Sequence, residues 1–275
     1  MIAIQKIPQV STIRCGNRAI ASGKGIPLYQ SKRTVNLQFG RKVVTVCTGP
    51  GVLSPSSILV DLPALPDVEE ALFEGTSIRT DTFQMKRGFS VDLHFERTGK
   101  FDAPRALRSL RPWIKTHNHS IVKAMLINLY DLEISSHGPK KDIVAKQERV
   151  LRESGSLSEL VNGLLGVGYG LTPSGDDFIL GIIALQSMAG RDLTGLHEVI
   201  RDYENPFSRT ILEDACEGCF SEPLLTLMNH LAYGNCPTDA VRALLGVGST
   251  SGWDTLAGMF YALHHVVSGR EDWHD

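Results

Sequence analysis

One stretch of this sequence occurs twice, and this repeat limits what the chain can fold into. The first copy, residues 164–185, reads LLGVGYGLTPSGDDFILGIIAL, and the second, residues 244–263, reads LLGVGSTSGWDTLAGMFYAL. The copies differ in their connector, which is YGLTP in the first and ST in the second. The aligned pairs are Ser174 with Ser251, Gly175 with Gly252, Asp177 with Asp254 and Gly181 with Gly258. A repeated loop and helix predicts two helix N-termini that face one another around a pseudo-twofold axis.

In the first copy a glycine-rich loop leads into a predicted helix. Gly166, Gly168 and Gly170 alternate with other residues, so the backbone is free to turn and to approach a ligand closely. Ser174 is predicted to cap the helix, with Asp177 at the capping-box position three residues later. The residues that follow are almost all apolar, which predicts a buried helix. Such a helix N-terminus offers N–H groups and a positive dipole end to an anion.

Two acidic residues lie where an anion would bind. Asp176 and Asp177 must therefore either cap the helix or act on the ligand. A simpler interpretation is that serine and aspartate only cap the helices and that the glycines only allow close packing. The alternating glycines and the paired aspartates exceed what capping requires, which favours a functional role.

Composition and charge narrow the function classes. The chain has 28 Lys+Arg and 30 Asp+Glu residues and no basic stripe, which argues against nucleic-acid binding. The longest apolar run, Phe178 to Leu185, is too short to span a bilayer, and the N-terminal sequence lacks the features of a signal peptide. Five cysteines, an odd number, fit a reducing compartment. We therefore expect a cytoplasmic protein with neither a nucleic-acid nor a membrane partner.

The hydrophobic pattern changes character near residue 100. Alternating and β-branched residues predict short strands before that point, and helical periodicity begins at Pro104. The predicted fold class is α+β. A β-rich N-terminal domain of residues 1–100, a small barrel or sandwich, precedes a mainly α-helical domain of residues 101–275 that carries the repeat.

The individual elements follow from the same patterns. The predicted strands are Ser11–Cys15, Arg33–Phe39, Lys42–Cys47, Ile58–Val60, Ser77–Met85 and Phe89–Glu96. The acidic segment Asp67–Glu74 is predicted as a short helix. The other predicted helices are Pro104–Lys115, Ser120–Ile134, Asp142–Glu153, Leu157–Leu165, Asp177–Ala189, Leu193–Tyr203, Ser208–Phe220, Glu222–Tyr233, Thr238–Leu245 and Asp254–Val267.

A second glycine-containing turn lies in the β-rich part. Gly49 and Gly51 flank Pro50 in a tight turn that leads into a loop rich in serine and proline. The simpler interpretation is a connection between two strands. The functional interpretation is a wall of the site, since these glycines would let a ligand approach the backbone.

Two further groups of residues have simple structural explanations. Cys216 and Cys219, with His230 and Cys236, offer four zinc ligands, but the CxxC pair falls within a predicted helix and no second paired knuckle follows. Buried small cysteines, without disulfides, are the preferred interpretation. The histidine pairs are His117 with His119, at a predicted helix break, and His264 with His265, on the last helix. Neither pair has a placed acidic partner, so no Ser-His-Asp triad is predicted.

The motifs GLTPSGDD at residues 170–177 and TSGWDTLAG at residues 250–258 resemble the AllH-like family, which includes a subunit of oxamate carbamoyltransferase. The family pattern also has an SPLL element, which stands here as SEPLL from Ser221, with Glu222 inserted. The resemblance is specific across roughly residues 164–263, and the first hundred residues match weakly. It implies a cytoplasmic protein of allantoin and purine degradation that acts with other subunits. The implied reaction converts oxamate and carbamoyl phosphate to oxalurate and phosphate.

The residues of the two motifs fit such chemistry. Small anions suit helix N-termini, and the backbone N–H groups of Gly168–Gly170 or Ser251–Gly252 would stabilise a developing oxyanion. Asp177 or Asp254 would take a proton from the oxamate nitrogen or orient it. The predicted catalytic residues are Asp176, Asp177 and Asp254. The predicted substrate-binding residues are Gly168, Tyr169, Gly170, Thr172, Ser174, Gly175, Thr250, Ser251, Gly252, Gly49 and Gly51.

Three interpretations of the function stay open at the level of sequence. No Arg or Lys lies in either motif, so positive charge would come from elsewhere in the chain, from Mg²⁺ on the aspartates, or from a partner subunit. Besides a catalytic subunit, the chain fits a non-catalytic assembly subunit that packs against a partner's active site. It also fits a Mg²⁺-dependent hydrolase with Asp176, Asp177 and Asp254 as ligands. The sequence requires no cofactor, and Mg²⁺ on the aspartates stays open as one.

Overall fold

A computed structural model describes residues 7–49, 51–97, 101–114, 120–130, 141–235 and 237–269. The α+β fold class is confirmed, with strands in the N-terminal part and helices in the C-terminal part. The chain divides into two compact units, Met1–His94 with Cys219–Glu222, and Phe95–Gly218 with Pro223–Asp275. The sequence-based domains, residues 1–100 and 101–275, stay a prediction.

The first unit is organised around one mixed sheet. Its described strands are β1 (Gln9–Val10), β2 (Thr12–Gly16), β3 (Gly23–Gln30), β4 (Thr34–Phe39), β5 (Lys42–Thr48), β6 (Ser57–Val60), β7 (Ala71–Glu74), β8 (Ser77–Thr80), β9 (Gln84–Lys86) and β10 (Phe89–Val91). The strand order is β1-β9-β8-β7-β3-β4-β5-β6-β2-β10. Most pairings are antiparallel, and β5–β6, β1–β9 and β10–β2 are parallel.

The core of this unit comes from the β-branched and aromatic residues that mark its strands. Val35, Leu37 and Phe39 of β4 are buried, as are Val44 and Val46 of the adjacent β5. Side chains at every second position share one face of a strand, so these residues cover one face of the sheet. Their burial stabilises the sheet in the register observed.

Two features of the sheet differ from the prediction. The short helix over Asp67–Glu74 is wrong, because Ala71–Glu74 forms β7 between β3 and β8. Ala71 and Phe73 point into the core while Glu74 is exposed, so a two-residue period outweighs the acidic composition. Strand β3 has no counterpart in the prediction, because Gly23, Gly25 and Pro27 are weak strand formers on their own. Its pairing with β4 and β7 supplies the stability that its sequence lacks.

The predicted strand Ser77–Met85 is interrupted by a turn. Strand β8 ends at Thr80 and β9 begins at Gln84. The Thr80 hydroxyl accepts a hydrogen bond from the Phe83 N–H at 2.9 Å and donates one to its carbonyl oxygen at 2.9 Å. Similarly, β10 ends at Val91, well before the predicted end at Glu96.

The helices begin and end near their predicted limits. They are α1 (Ala103–Ile114), α2 (Ser120–Tyr130), α3 (Lys141–Glu153), α4 (Leu157–Leu164), α5 (Ser174–Ala189), α6 (Thr194–Arg201), α7 (Pro206–Cys216), α8 (Glu222–Ala232), α9 (Thr238–Leu245) and α10 (Ser251–Ser268). The predicted ends of α1 at Lys115 and of α2 at Ile134 lie outside the described residues. In the described ranges, no helix has the length and apolar character needed to cross a membrane.

The two repeated helices, α5 and α10, pack against each other in the second unit, backbone to backbone. A side-chain carbon on Gly181 would lie 2.0 Å from the Thr255 carbonyl oxygen, and one on Gly258 would lie 1.9 Å from the Phe178 carbonyl oxygen. The contacts are reciprocal, because Thr255 and Phe178 are themselves equivalent positions of the repeat. This relation fits the predicted pseudo-twofold axis, which runs between the helices near these glycines. Only glycine allows so close an approach at the crossing.

The cysteines of the described residues form no disulfides. Cys15, Cys47, Cys216 and Cys219 take part in no disulfide, as predicted, and Cys236 lies outside the described residues. The CxxC pair does not lie within one helix, because α7 ends at Cys216. Burial, followed by the charges of two neighbouring glutamates, raises the pKa of the Cys216 thiol to about 12, so it is a poor nucleophile.

Candidate functional site

The two copies of the repeat share one backbone hydrogen bond between the loop and the start of the helix. In the first copy the Gly175 N–H donates to the Val167 carbonyl oxygen at 2.9 Å. In the second copy the equivalent Gly252 N–H donates to the Val247 carbonyl oxygen at 3.0 Å. Each bond folds the loop back onto the start of its own helix. The sequence repeat is therefore accompanied by the same hydrogen bond at equivalent positions of the two copies.

The prediction that Ser174 caps α5 is wrong in detail. Pro173 occupies the N-cap position with extended backbone angles, and Ser174 is the first residue of the helix. The Pro173 carbonyl oxygen accepts hydrogen bonds from the N–H groups of Asp176 and Asp177 at 2.9 and 3.2 Å. In the second copy Thr250 occupies the N-cap position and Ser251 begins α10. Neither Pro173 nor Thr250 makes a side-chain cap hydrogen bond. The polar side chains at these helix starts are thus available for other contacts.

The starts of α5 and α10 lie close together. The Thr172 hydroxyl, just before α5, lies 3.2 Å from the Ser251 hydroxyl, the first residue of α10. Both hydroxyls also hydrogen-bond to the Asp177 carboxyl. The predicted convergence of the two helix N-termini is confirmed by these contacts. We call the group formed by Thr172, Asp177, Ser251 and Asp254 the paired-helix site.

Asp177 is the central carboxyl of the paired-helix site. Its side chain is 5% exposed, and its Oδ2 atom has no hydrogen-bond partner among the described residues. Burial is the largest cause that raises the pKa of Asp177, to about 8; the charges of Asp254 and Asp176 also act upward, while the hydroxyls of Ser251 and Thr172 act in the opposite direction. The sequence predicted a raised pKa from repulsion between two carboxylates, but removal from water is the larger cause.

Asp254 is the equivalent residue of the second copy. It is completely buried in the first turn of α10. Its charge acts on Asp177 and raises the pKa of that carboxyl. Two buried carboxyl groups that interact favour a state in which at least one of them holds a proton.

Asp176 has a different environment from Asp177. Its Oδ1 accepts the Gly166 N–H at 2.7 Å, and its Oδ2 accepts the Tyr203 hydroxyl at 2.9 Å. Burial raises the pKa of Asp176, and hydrogen bonds from Ser208, Gly166 and Tyr203 oppose that rise. Because both oxygens already accept hydrogen bonds within the protein, the carboxylate holds the loop in place. Its predicted part in catalysis stays a prediction.

We call residues 166–172 the glycine loop. Gly168 and Gly170 have φ angles of 139° and 99°, in the region that favours glycine. The backbone N–H groups of residues 168–172 donate no hydrogen bond to any described residue. Tyr169 and Leu171 are 70% and 42% exposed. The loop therefore presents unused donors beside two exposed apolar side chains.

Several predicted substrate-binding residues surround the paired-helix site. Gly168, Tyr169, Gly170 and Thr172 belong to the glycine loop, and Ser174 and Gly175 form the first turn of α5. Thr250, Ser251 and Gly252 are at the start of α10. The structure thus groups the residues of both motifs within one unit.

The other predicted residues lie elsewhere. Gly49 and Gly51 belong to the first unit, after β5, and their role as a wall of the site stays a prediction. Pro50 between them lies outside the described residues, as do His117 and His119. His265 is buried on α10, with its ring 4.4 Å from that of Tyr261.

Three residues of the network were not predicted from the sequence. Tyr203, Asn205 and Ser208 come from the link between α6 and α7 and the start of α7, and they contact Asp176 or the glycine loop. Asn205 followed by Pro206 is a helix-start signal, and Asn205 does cap α7. That signal predicts where α7 begins. It does not indicate that these residues contact others about thirty positions earlier in the chain.

The three predicted aspartates are not grouped as ligands of a metal ion in the described part of the chain. Among the described residues, no group of three or more His, Cys, Asp or Glu side chains is arranged to hold a metal ion. Asp176 accepts hydrogen bonds from Gly166 and Tyr203, one on each carboxylate oxygen. Zinc at Cys216 and Cys219 likewise has no three-residue ligand group in this part of the chain. We derive no chemistry through either metal.

Comparison with known proteins gives one family match. Residues 164–263 match the family model described as "Oxamate carbamoyltransferase subunit AllH". The matched segment runs from the end of α4 through both copies of the repeat. No solved structure matches the chain. The match confirms, for residues 164–263, the resemblance that the motifs indicate.

Proposed function

We propose that this protein is a carbamoyltransferase subunit that binds a small anionic substrate at the paired-helix site. The observation that carries the proposal is the buried Asp177 carboxyl, which has two hydroxyl partners and an Oδ2 atom without a described partner. A substrate there would meet this carboxyl beside the N–H donors of the glycine loop. The AllH resemblance implies oxamate and carbamoyl phosphate as substrates, in allantoin degradation in the cytoplasm.

The proposed reaction uses these groups in distinct roles. The oxamate nitrogen attacks the carbamoyl carbon, a C–N bond forms, and the C–O bond to phosphate breaks. The nitrogen loses a proton to the ionised Asp177 carboxylate, whose raised pKa makes it a stronger base than an ordinary aspartate. Backbone N–H groups of residues 168–170 stabilise the oxyanion that develops on the carbamoyl group. Thr172 and Ser251 orient the Asp177 carboxyl.

The substrates carry more negative charge than these motifs neutralise. Neither copy of the repeat contains Arg or Lys, so the N–H groups and helix dipoles supply partial positive charge only. We therefore propose that another subunit contributes a cationic side chain to the complete enzyme. The family description, which names a subunit, supports this division of labour.

The test is ligand binding and turnover with and without the partner subunits. We expect oxamate, carbamoyl phosphate or phosphate to raise the melting temperature of the wild-type protein. Asp177→Asn and Asp254→Asn should each remove that rise and cut phosphate release by the assembled complex at least about 100-fold. Asp192→Asn, at an exposed position beside α6, is the matched control and should behave like wild type. The proposal fails if none of the three compounds changes the melting temperature of the isolated or the assembled protein.

A non-catalytic assembly subunit is the second candidate. The exposed Tyr169 and Leu171 on the glycine loop favour it, since exposed aromatic and aliphatic side chains are typical of contacts with another protein. An assembled complex that keeps full turnover with Asp177→Asn would support this role over the first.

A further inference from the structure

The glycine loop is anchored at its start by a hydrogen-bonded chain that leads to the link between α6 and α7. The Gly166 N–H donates to one oxygen of Asp176, and the Tyr203 hydroxyl donates to the other. Burial and the nearby Asp176 charge raise the pKa of Tyr203, so its hydroxyl keeps its proton and stays a donor. The position of Gly166 thus depends on a tyrosine 37 residues further along the chain.

A second anchor holds the other end of the glycine loop. The Leu171 carbonyl oxygen accepts the Asn205 side-chain amide at 3.0 Å and the Ser208 hydroxyl at 3.4 Å. The Asn205 side-chain oxygen meanwhile accepts the Phe207 and Ser208 N–H groups, which caps α7. One asparagine side chain therefore joins the loop to the helix that follows the link.

The second copy of the repeat lacks the residues for the first of these anchors. Trp253 occupies the position equivalent to Asp176 and has no carboxylate to accept a loop N–H. The connector is also shorter, because Ser249-Thr250 replaces five residues of the first copy. The two copies are therefore similar in their helices and unequal in their loops.

We infer that Tyr203 and Asn205 are positioning residues that hold the glycine loop in its ligand-binding conformation. This inference rests on the proposed function, because it assigns the loop's N–H groups to the ligand. Between the two anchors lie residues 167–170, whose N–H groups from 168 onward are unused within the described protein. Donors that are already oriented bind an anion without the cost of ordering a flexible segment. The first copy thereby becomes the ligand-holding copy of an otherwise symmetric pair.

The test separates the anchor from the rest of the fold. Tyr203→Phe removes only the hydroxyl, and Asn205→Asp keeps the α7 cap while it removes the amide donor to Leu171. The matched controls are Tyr233→Phe and Asn162→Asp, both at exposed positions. Nitrogen-15 relaxation of Gly168 and Gly170 in the full chain reports the order of the loop directly. We expect lower order parameters in the two anchor variants and wild-type values in the two controls.

A binding measurement completes the test, with inorganic phosphate, oxamate and carbamoyl phosphate as probes. We expect each anchor variant to bind about 3- to 10-fold more weakly than wild type, as for one lost hydrogen bond. Unchanged order parameters at Gly168 and Gly170 in both variants would overturn the inference, and so would looser loops with unchanged affinity. A third outcome is lower order in the variant loops while the wild-type protein itself binds none of the probes. That result would uphold the anchor and reject the proposed function.

Discussion

Asp177 is the residue whose environment departs furthest from that of an ordinary aspartate. It is buried, and the charges that act on it are those of Asp254 and Asp176, both of which raise its pKa. A carboxyl that holds its proton near neutral pH acts as a hydrogen-bond donor to an anion in one protonation state and as a base in the other. The same residue therefore serves both binding and proton transfer in the proposed reaction.

The first prediction concerns the pH dependence of stability. The pKa of Asp177 is about 8 in the folded protein and near 3.8 in the unfolded chain. Over this range the folded state binds more protons than the unfolded state, so Asp177 makes the protein less stable as pH rises from about 4 to about 8. Asp177→Asn removes this effect. The free energy of unfolding of the variant should rise relative to wild type by about 3 kcal/mol or more across that range.

Urea unfolding at a series of pH values measures this difference. The comparison is Asp192→Asn, because hydrogen bonds from Thr194 lower the pKa of the exposed Asp192 carboxyl. That control should show no such rise with pH. If the difference in the free energy of unfolding between Asp177→Asn and wild type stays constant from pH 4 to pH 8, the pKa of Asp177 is not raised.

At the scale of elements, the crossing of α5 and α10 determines the geometry of the site. Gly181 and Gly258 bring the two helix backbones into contact two turns or less beyond the paired aspartates. Helices that touch at so close a point keep their N-terminal ends near each other. The contact between Thr172 and Ser251 follows from this arrangement.

The second prediction tests the crossing. Gly181→Ala and Gly258→Ala each place a carbon about 2 Å from a backbone oxygen of the other helix, which forces the helices apart. Each should lower the free energy of unfolding by about 3 kcal/mol or more, despite the higher helix propensity of alanine. Gly195→Ala on α6 is the control, because its added carbon meets no atom within 4 Å. It should be neutral or stabilising by up to about 1 kcal/mol in thermal unfolding. Equal stability of all three variants would contradict the crossing.

The elements also show which parts of the fold are predictable from sequence. The apolar periodicity of α5 and α10 and their shared motifs place both helices to within a few residues. Strand β3 was missed because its stability comes from pairing with β4 and β7, which are distant in sequence. At the site, the motif residues were predicted, but Tyr203 and Asn205 were not. Their role depends on where the α6–α7 link lies in space, which a local pattern does not encode.

At the scale of the whole molecule, the chain enters the first unit twice. The segment Cys219–Glu222 belongs to the sheet-containing unit although it follows α7 in sequence. The Phe220 N–H donates to the Leu93 carbonyl oxygen at 3.0 Å, and the Glu222 N–H donates to the Leu53 carbonyl oxygen at 2.9 Å. Arg14 adds an ion pair with Glu222 at 2.7 Å, which is partly exposed and contributes little. These contacts join the segment that follows α7 to the strands and loops of the first unit.

The third prediction follows from this return of the chain. Phe220 is fully buried, so Phe220→Ala leaves a cavity and should cost about 3–5 kcal/mol of stability. Amide hydrogen exchange should become faster in β2, β6 and the strands beside them, although the mutated residue lies 160 positions after β6. Tyr233→Phe, at an exposed position, is the control. Unchanged exchange in the sheet of the Phe220 variant would reject the assignment of this segment to the first unit.

The glycine pair at the helix crossing also bears on how this chain changes over evolutionary time. Gly181 and Gly258 contact the backbone of each other's helix, so a larger residue at either position disturbs both copies of the repeat together. A larger residue at one of these positions cannot be accommodated by a smaller residue at the other, because glycine already stands there. The crossing therefore places one common constraint on the two glycines, whereas the connectors before the two helices differ in length and sequence.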